Sequence, residues 1–176
     1  MAQRIALLAD GSNLKHQYRS GPERPRELYP VLNIAFYKLE SIGDVVLRML
    51  YMDEEDSRAL RYASGFGFEE KSIGVKADPW IRRGIRSVCK RKDIDIICIG
   101  SGDHFFEQDI PVIMEHDKEP CIMGLEKKIS WKLCRHGPKI ITIYEDEIRG
   151  FDTAAMDYLR QINRKEPRLS EYLKSQ

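Results

Sequence analysis

The chain has 176 residues, a mass of 20.5 kDa and a mean hydropathy of −0.47. Hydrophobic residues make up 42% and charged residues 32%, which excludes a disordered or fibrous chain and allows one domain with a core that needs no disulfide or metal staple. Lys and Arg number 29 against 28 Asp and Glu, so a net charge of +1 excludes a uniformly basic nucleic-acid binder while allowing a local basic patch, and no apolar run is long enough to span a membrane.

The first apolar run, Ile5 to Ala9, is too short for a secretory signal and is closed by Asp10, so it reads as a buried strand in a cytoplasmic protein. Helical spacing of Val31, Ile34, Ala35 and Leu39 predicts a helix from Pro30 to Ser41. Val45 to Met52 is the second strand. Glu54 to Ser64 reads as a helix with its acids in the first turn, where the helix dipole favours them. Ser72 to Val75 is a weak third strand. Asp78-Pro79 opens the next helix, with Asp78 as N-cap and Pro79 at the first helical position. Ile94 to Ile99 is the strongest strand, followed by a helix from Phe106 to His116. Pro120 to Met123 is the fifth strand, Leu125 to His136 a helix stopped by Gly137-Pro138, and Lys139 to Tyr144 the sixth strand. Residues 1–150 form the domain, and 151–176 read as a C-terminal helix and a polar tail.

Near-continuous apolar strands alternating with helices predict a parallel sheet covered on both faces. The four cysteines, Cys89, Cys98, Cys121 and Cys134, lack a CxxC spacing and read as buried reduced thiols. The four histidines show no zinc spacing either.

In open parallel sheets the functional groups lie beyond the carboxyl ends of the strands. Asp10-Gly11-Ser12-Asn13 follows the first strand, Lys76-Ala77-Asp78 the third and Gly100-Ser101-Gly102-Asp103 the fourth. Three carboxylates converging on one crevice repel each other unless a cation sits between them, and oxygen ligands suit Mg²⁺ or Mn²⁺. Other nucleotide and hydrolase motifs fail. Phe105 stands where a dinucleotide fingerprint needs its third glycine, and neither GxxxxGK[ST] nor GxSxG occurs.

Ala9-Asp10-Gly11-Ser12-Asn13, Lys76-Ala77-Asp78 and Ile99-Gly100-Ser101-Gly102-Asp103 resemble, in this order, the opening, middle and "SGD" motifs of NYN-domain proteins, a branch of the PIN-like nucleases. Ser130-Trp131-Lys132-Leu133 is similar to their weaker "SxxL" pattern. The resemblance covers about residues 4 to 148. It implies a three-layer α/β/α, PIN-like (Rossmann-like) fold with a mostly parallel central sheet. The implied activity is that of a Mg²⁺- or Mn²⁺-dependent ribonuclease whose partner is RNA, and PIN-like domains often pair as homodimers. Asp10, Asp78 and Asp103 would be the metal-site carboxylates. Asn13 would orient Asp10 or a water, and Ser101 would hydrogen-bond within the site. Two family acids are missing, since Phe105 and Gly84 stand at their positions. Asp109, Glu107 and Asp146 are the available substitutes, Asp109 lying one helical turn after Phe105.

Arg82, Arg83, Arg86, Lys90, Arg91 and Lys92 crowd the helix that begins at Asp78, a stripe suited to a phosphate backbone, with Arg82, Arg83 and Arg86 placed to bind substrate. Lys15, Arg19, Arg24 and Arg26 form a second basic group in a loop after the first motif, with Lys15 placed to steady the substrate. Tyr18 and Trp80 lie in these regions and are suited to stacking on bases. Three readings follow: a metal-dependent ribonuclease, a degenerate relative that binds RNA or a protein without cutting, and an interaction protein whose aspartates are only caps.

Overall fold

The structure, a computed structural model, describes residues 2–17, 28–52, 68–72, 76–148 and 150. Six strands form one sheet: β1 (Arg4–Asp10), β2 (Asp44–Met52), β3 (Glu69–Ser72), β4 (Ile96–Gly100), β5 (Glu119–Leu125) and β6 (Lys139–Ile143). Their order is β3-β2-β1-β4-β5-β6, and every neighbouring pair is parallel. α1 (Gly11–Gln17) and α2 (Tyr29–Glu40) pack on one face. α3 (Asp78–Cys89), α4 (Asp109–Glu115) and two 3-10 helices, His104–Gln108 and Leu133–His136, pack on the other. This is a three-layer α/β/α fold.

The alternation of side chains along a strand divides the core. Ile5, Leu7 and Ala9 of β1 join α1 and α2 in one cluster, while Ala6 and Leu8 join α3 and α4 in the other. Residues Ile5 to Ala9 are all fully buried, which explains why β1 reads as an unbroken apolar run. Each buried Leu or Ile contributes about 1.5–3 kcal/mol over its exposed state. Asp10 continues the Ala6–Leu8 series, so its side chain emerges on the α3 side of the sheet.

Several elements depart from the sequence expectation. β3 is described over Glu69–Ser72, touching the expected strand only at Ser72; among the described residues it pairs with β2 alone, and its polar sequence carries no hydrophobic signal. Residues 73–75, the expected helix at 54–64, the basic residues Arg19, Arg24 and Arg26, Tyr18 and the segment 151–176 lie outside the described residues. The stretch after the first motif, expected as a loop from Lys15, begins as the helix α1. Asp78 is not the N-cap: Ala77 already has helical dihedrals, and its carbonyl accepts from the N–H groups of Trp80 and Ile81. Asp78 instead sits in the first turn, where its charge still suits the dipole. The helix expected over Phe106–His116 is a 3-10 turn capped by Asp103, followed by α4.

The helix expected over Leu125–His136 is absent. Leu125, Ile129 and Leu133 have helical spacing, but Leu125 ends β5, Ile129 packs on Gly124, and only Leu133–His136 turns as a 3-10 helix. Lys127 adopts the left-handed conformation at φ 62°, which breaks any helix there. Cys89, Cys98 and Cys121 are buried free thiols, whereas Cys134 is exposed. Among the described residues, no helix is long and apolar enough to cross a membrane.

Gly84 marks the closest approach of α3 to the sheet. A Cβ there would lie 2.3 Å from the Tyr51 hydroxyl and 2.8 Å from Leu8 Cδ2. Glycine at this position is thus a packing requirement, because the position faces Tyr51 and Leu8. Gly84→Ala therefore destabilises the protein by about 1–3 kcal/mol through overpacking, although alanine is the better helix former. Urea denaturation checks this, and Tyr51→Phe in the same chain, by removing the hydroxyl, should restore part of the loss, the Leu8 contact remaining.

Candidate metal and nucleic-acid site

The strand order reverses between β1 and β4. The chain leaves β1 for one face and β4 for the other, so a crevice opens beyond their carboxyl ends. Ala9 is paired with Gly100 across these strands, which sets Asp10 and the Gly100–Asp103 segment side by side. Asn13 joins the two: its N–H donates to Asp10 Oδ1 at 2.8 Å, and its Oδ1 accepts the Gly102 N–H at 3.2 Å. Asp10 is buried, with 4% of its surface exposed.

The second motif shapes its own loop. Ser101 is fully buried, and its hydroxyl accepts the Asp103 N–H at 3.3 Å. It therefore shapes the backbone around Asp103 and does not stand at the surface for a substrate. Asp103 Oδ1 accepts the Phe105 N–H at 2.9 Å and lies 3.3 Å from His104 Nδ1. The Asp103 side chain is 39% exposed, so it faces solvent at the mouth of the crevice.

Asp78 reaches the same edge from α3. Gly84 of α3 lies against Leu8 of β1. Asp78 is six residues earlier, about 9 Å nearer the carboxyl edge at helical rise. Asp10 is two residues beyond Leu8, about 7 Å nearer the same edge. The two residues therefore start from about the same level of the fold. Among the described residues, no three His, Cys, Asp or Glu side chains are gathered closely enough to enclose a metal ion. The donors at this edge are carboxylate oxygens, with His104 exposed beside them. That set fits Mg²⁺ or Mn²⁺, which bind through one or two carboxylates and keep several waters.

Arg82 is engaged within the protein. Its Nε donates to both oxygens of Asp109 at 3.0 Å, its Nη2 donates to the Phe105 carbonyl at 2.8 Å, and its guanidinium carbon lies 4.3 Å from the Phe105 ring centroid. The arrangement ties α3, which carries Asp78, to the turn that carries Asp103. Asp109, the proposed substitute acid, faces this arginine and is 2% exposed. Burial pushes its carboxyl above the usual range, while the hydrogen bond and charge of Arg82, and the charge of Arg86, pull it down. Glu107 pairs with Arg135, and Asp146 is exposed after β6.

The cations Arg83 and Arg86 are exposed on α3, and Arg83 lies over the Trp80 ring at 4.8 Å. Lys15 belongs to α1, but its side chain lies outside the described residues. Trp80 and Arg83 also line a groove of about 400 Å³ between α3 and β2, floored by Leu47, Met49 and Tyr51. Burial, and then the nearby Glu69 charge, push the Tyr51 hydroxyl up to about 12.

Sequence reading missed the loop after β5. The Ser130 N–H donates to the Gly102 carbonyl at 2.9 Å, so this loop lies directly on the Gly100–Asp103 segment. It carries Lys127, Lys128, Lys132 and Arg135 against one acid, Glu126, and exposes Trp131. The run of lysines was visible in sequence, but its place at the crevice was not.

No protein-family model matches the sequence, and none of the curated proteins matches it. A solved structure does. It is the crystal structure of a protein of unknown function from Vibrio parahaemolyticus, 20% identical, with a TM-score of 0.65 over 82% of this chain and 95% of that one. At that identity the likeness establishes the fold.

Arg82→Met leaves the Asp109 carboxylate buried without its main partner. The variant loses about 3 kcal/mol of stability at neutral pH. With the partner gone, the folded-state pKa of Asp109 rises further above its unfolded value. A raised pKa favours the folded state at low pH, so the loss shrinks as pH falls through the raised value. Urea denaturation of both proteins across pH 4 to 8 measures this trend.

Proposed function

We propose that the protein is a metal-dependent ribonuclease that hydrolyses RNA phosphodiester bonds at the crevice beyond β1 and β4, with Mg²⁺ or Mn²⁺ as cofactor. The observation that carries this reading is the Asn13 clasp, which holds the Asp10 strand end against the Gly102–Asp103 turn. The sequence resemblance to NYN-domain proteins supports the same reading. Asp10, Asp103 and Asp78 hold the cation. Such an ion lowers the pKa of a bound water and offsets charge building on the phosphate. Asn13 fixes the orientation of Asp10 and the height of the turn. Arg83 and Arg86 draw the RNA backbone toward the edge, with Lys15 on the opposite side.

A second reading, a degenerate relative that binds RNA without cutting, is favoured by two observations. No three metal-ligating side chains are gathered at the edge among the described residues, and Phe105 lies under Arg82 where the family carries an acid.

Cleavage of a labelled single-stranded RNA separates the two. The ribonuclease reading expects cutting with Mn²⁺ or Mg²⁺ and none in EDTA. Asp10→Asn should lower it about 100-fold or more, and Asn13→Ala, which keeps the backbone N–H on Asp10 but loses the acceptor for Gly102, by only about tenfold. Asp10→Asn keeps an oxygen to accept the Asn13 N–H, so its melting temperature should stay close to wild type. RNA binding without cleavage in any metal would establish the second reading.

A further inference from the structure

The chain holds two tryptophans, and both are exposed: Trp80 at 40% and Trp131 at 63%. Tryptophan is ordinarily well buried, so two at the surface call for a physical reason. Each carries an arginine on its ring. Arg83 lies 4.8 Å from the Trp80 ring centroid, and Arg135 lies 4.1 Å from that of Trp131. The two sites come from unrelated parts of the chain.

Both stand at the carboxyl edge of the sheet, on opposite flanks of the crevice. Trp80 is in the first turn of α3, two residues after Asp78, on the β2 side. Trp131 follows Ser130, whose N–H is bonded to the Gly102 carbonyl on the β4–β5 side. Neither is a loose side chain on a loose backbone. Ala77 and Ile81 anchor Trp80 from below, and both are buried. Leu133 is fully buried beside Trp131, and Arg135 reaches Glu107 of the 3-10 helix at 3.5 Å.

Local charge adds to this. Lys76, Arg83 and Arg86 lie within six residues of the first tryptophan in the chain, and Lys127, Lys128, Lys132 and Arg135 within four of the second, in a chain whose net charge is only +1. Aromatic faces interleaved with cations are what an unpaired nucleic-acid strand requires, because stacking needs a base freed from its partner. A duplex presents neither a free base face nor room for a tryptophan between bases.

We infer that Trp80 and Trp131 are two base-stacking platforms that seat one single strand of RNA across the crevice, so that the phosphate between them crosses over Asp10 and Asp103. This rests on the RNA reading above and narrows it to single-stranded substrate with nucleotides gripped on both sides of the scissile bond. Arg83 and Arg135 hold the rings and face the backbone of the stacked nucleotides. The approximately 400 Å³ groove beside Trp80 receives the nucleotide on that flank.

The test is fluorescence, which needs no cleavage. Trp80→Phe and Trp131→Phe each leave one tryptophan in the full chain. A dye-labelled twelve-residue oligouridylate is added at low salt in EDTA, with binding followed separately by anisotropy. Both remaining tryptophans should be quenched at the midpoint of binding, and Trp80→Ala and Trp131→Ala should each weaken binding about tenfold or more. A twelve-base-pair RNA duplex should bind more weakly and leave both unquenched. Because both side chains are exposed, the variants should unfold at the wild-type midpoint. Oligouridylate that binds without quenching, or binds the two alanine variants as tightly as wild type, overturns the platforms and leaves the RNA reading standing. Wild type that binds no oligouridylate at all overturns both.

Discussion

The parallel pairing of β1 with β4 is the constraint on which the rest of the molecule depends. It places two strands side by side whose connections depart to opposite faces. No helix can close the gap at their carboxyl ends, so the polar residues that end each strand meet there. Asp10 and the Gly100–Asp103 turn become neighbours through that pairing, although they are far apart in sequence. Asn13 completes the joint with one hydrogen bond in each direction: its backbone N–H donates backward to Asp10, and its side-chain Oδ1 accepts the Gly102 N–H across the crevice. The apolar β1 and β4 make this edge rigid, since both strands are buried on both faces. A site built on such strands holds its geometry better than one built on loops.

Charge at the edge is balanced from behind. The Arg82–Asp109 pair sits under the Asp103 turn, and Arg82 also takes the Phe105 carbonyl and covers its ring. Phe105 serves there as a packing surface for the Arg82 guanidinium. The result is a turn held by one partly buried cation through three distinct contacts. The loop after β5 then closes over the same turn through the Ser130–Gly102 bond and brings its lysines with it.

Much of this was legible in the sequence, for identifiable reasons. The three-layer class follows from apolar strands alternating with helices. The strand ends are marked by short polar turns, so the rule for open sheets singles out Asp10, Asp78 and Asp103 as candidates. What was not legible involves either weak local signal or distant pairing. β3 is a polar edge strand with no apolar run to announce it. Leu125, Ile129 and Leu133 repeat at helical spacing while serving a strand, a glycine contact and a 3-10 turn. Arg82 finds Asp109 across 27 residues, a separation at which no local pattern operates. Gly84 looks like a lost carboxylate in one dimension and is a contact with Tyr51 and Leu8 in three. Trp131 follows the same logic, because its exposure depends on where the 126–132 loop lands.

The central claim is that the edge formed by β1, β4 and the start of α3 holds a divalent cation on Asp10, Asp103 and Asp78. Diffraction from crystals grown with Mn²⁺, collected at a wavelength where manganese scatters anomalously, locates such an ion directly. The account predicts one anomalous peak within about 2.5 Å of carboxylate oxygens of Asp10 and Asp103, lost in crystals of Asp103→Asn. Crystals saturated with Mn²⁺ that show no peak at this edge, or a peak only elsewhere on the surface, would contradict it.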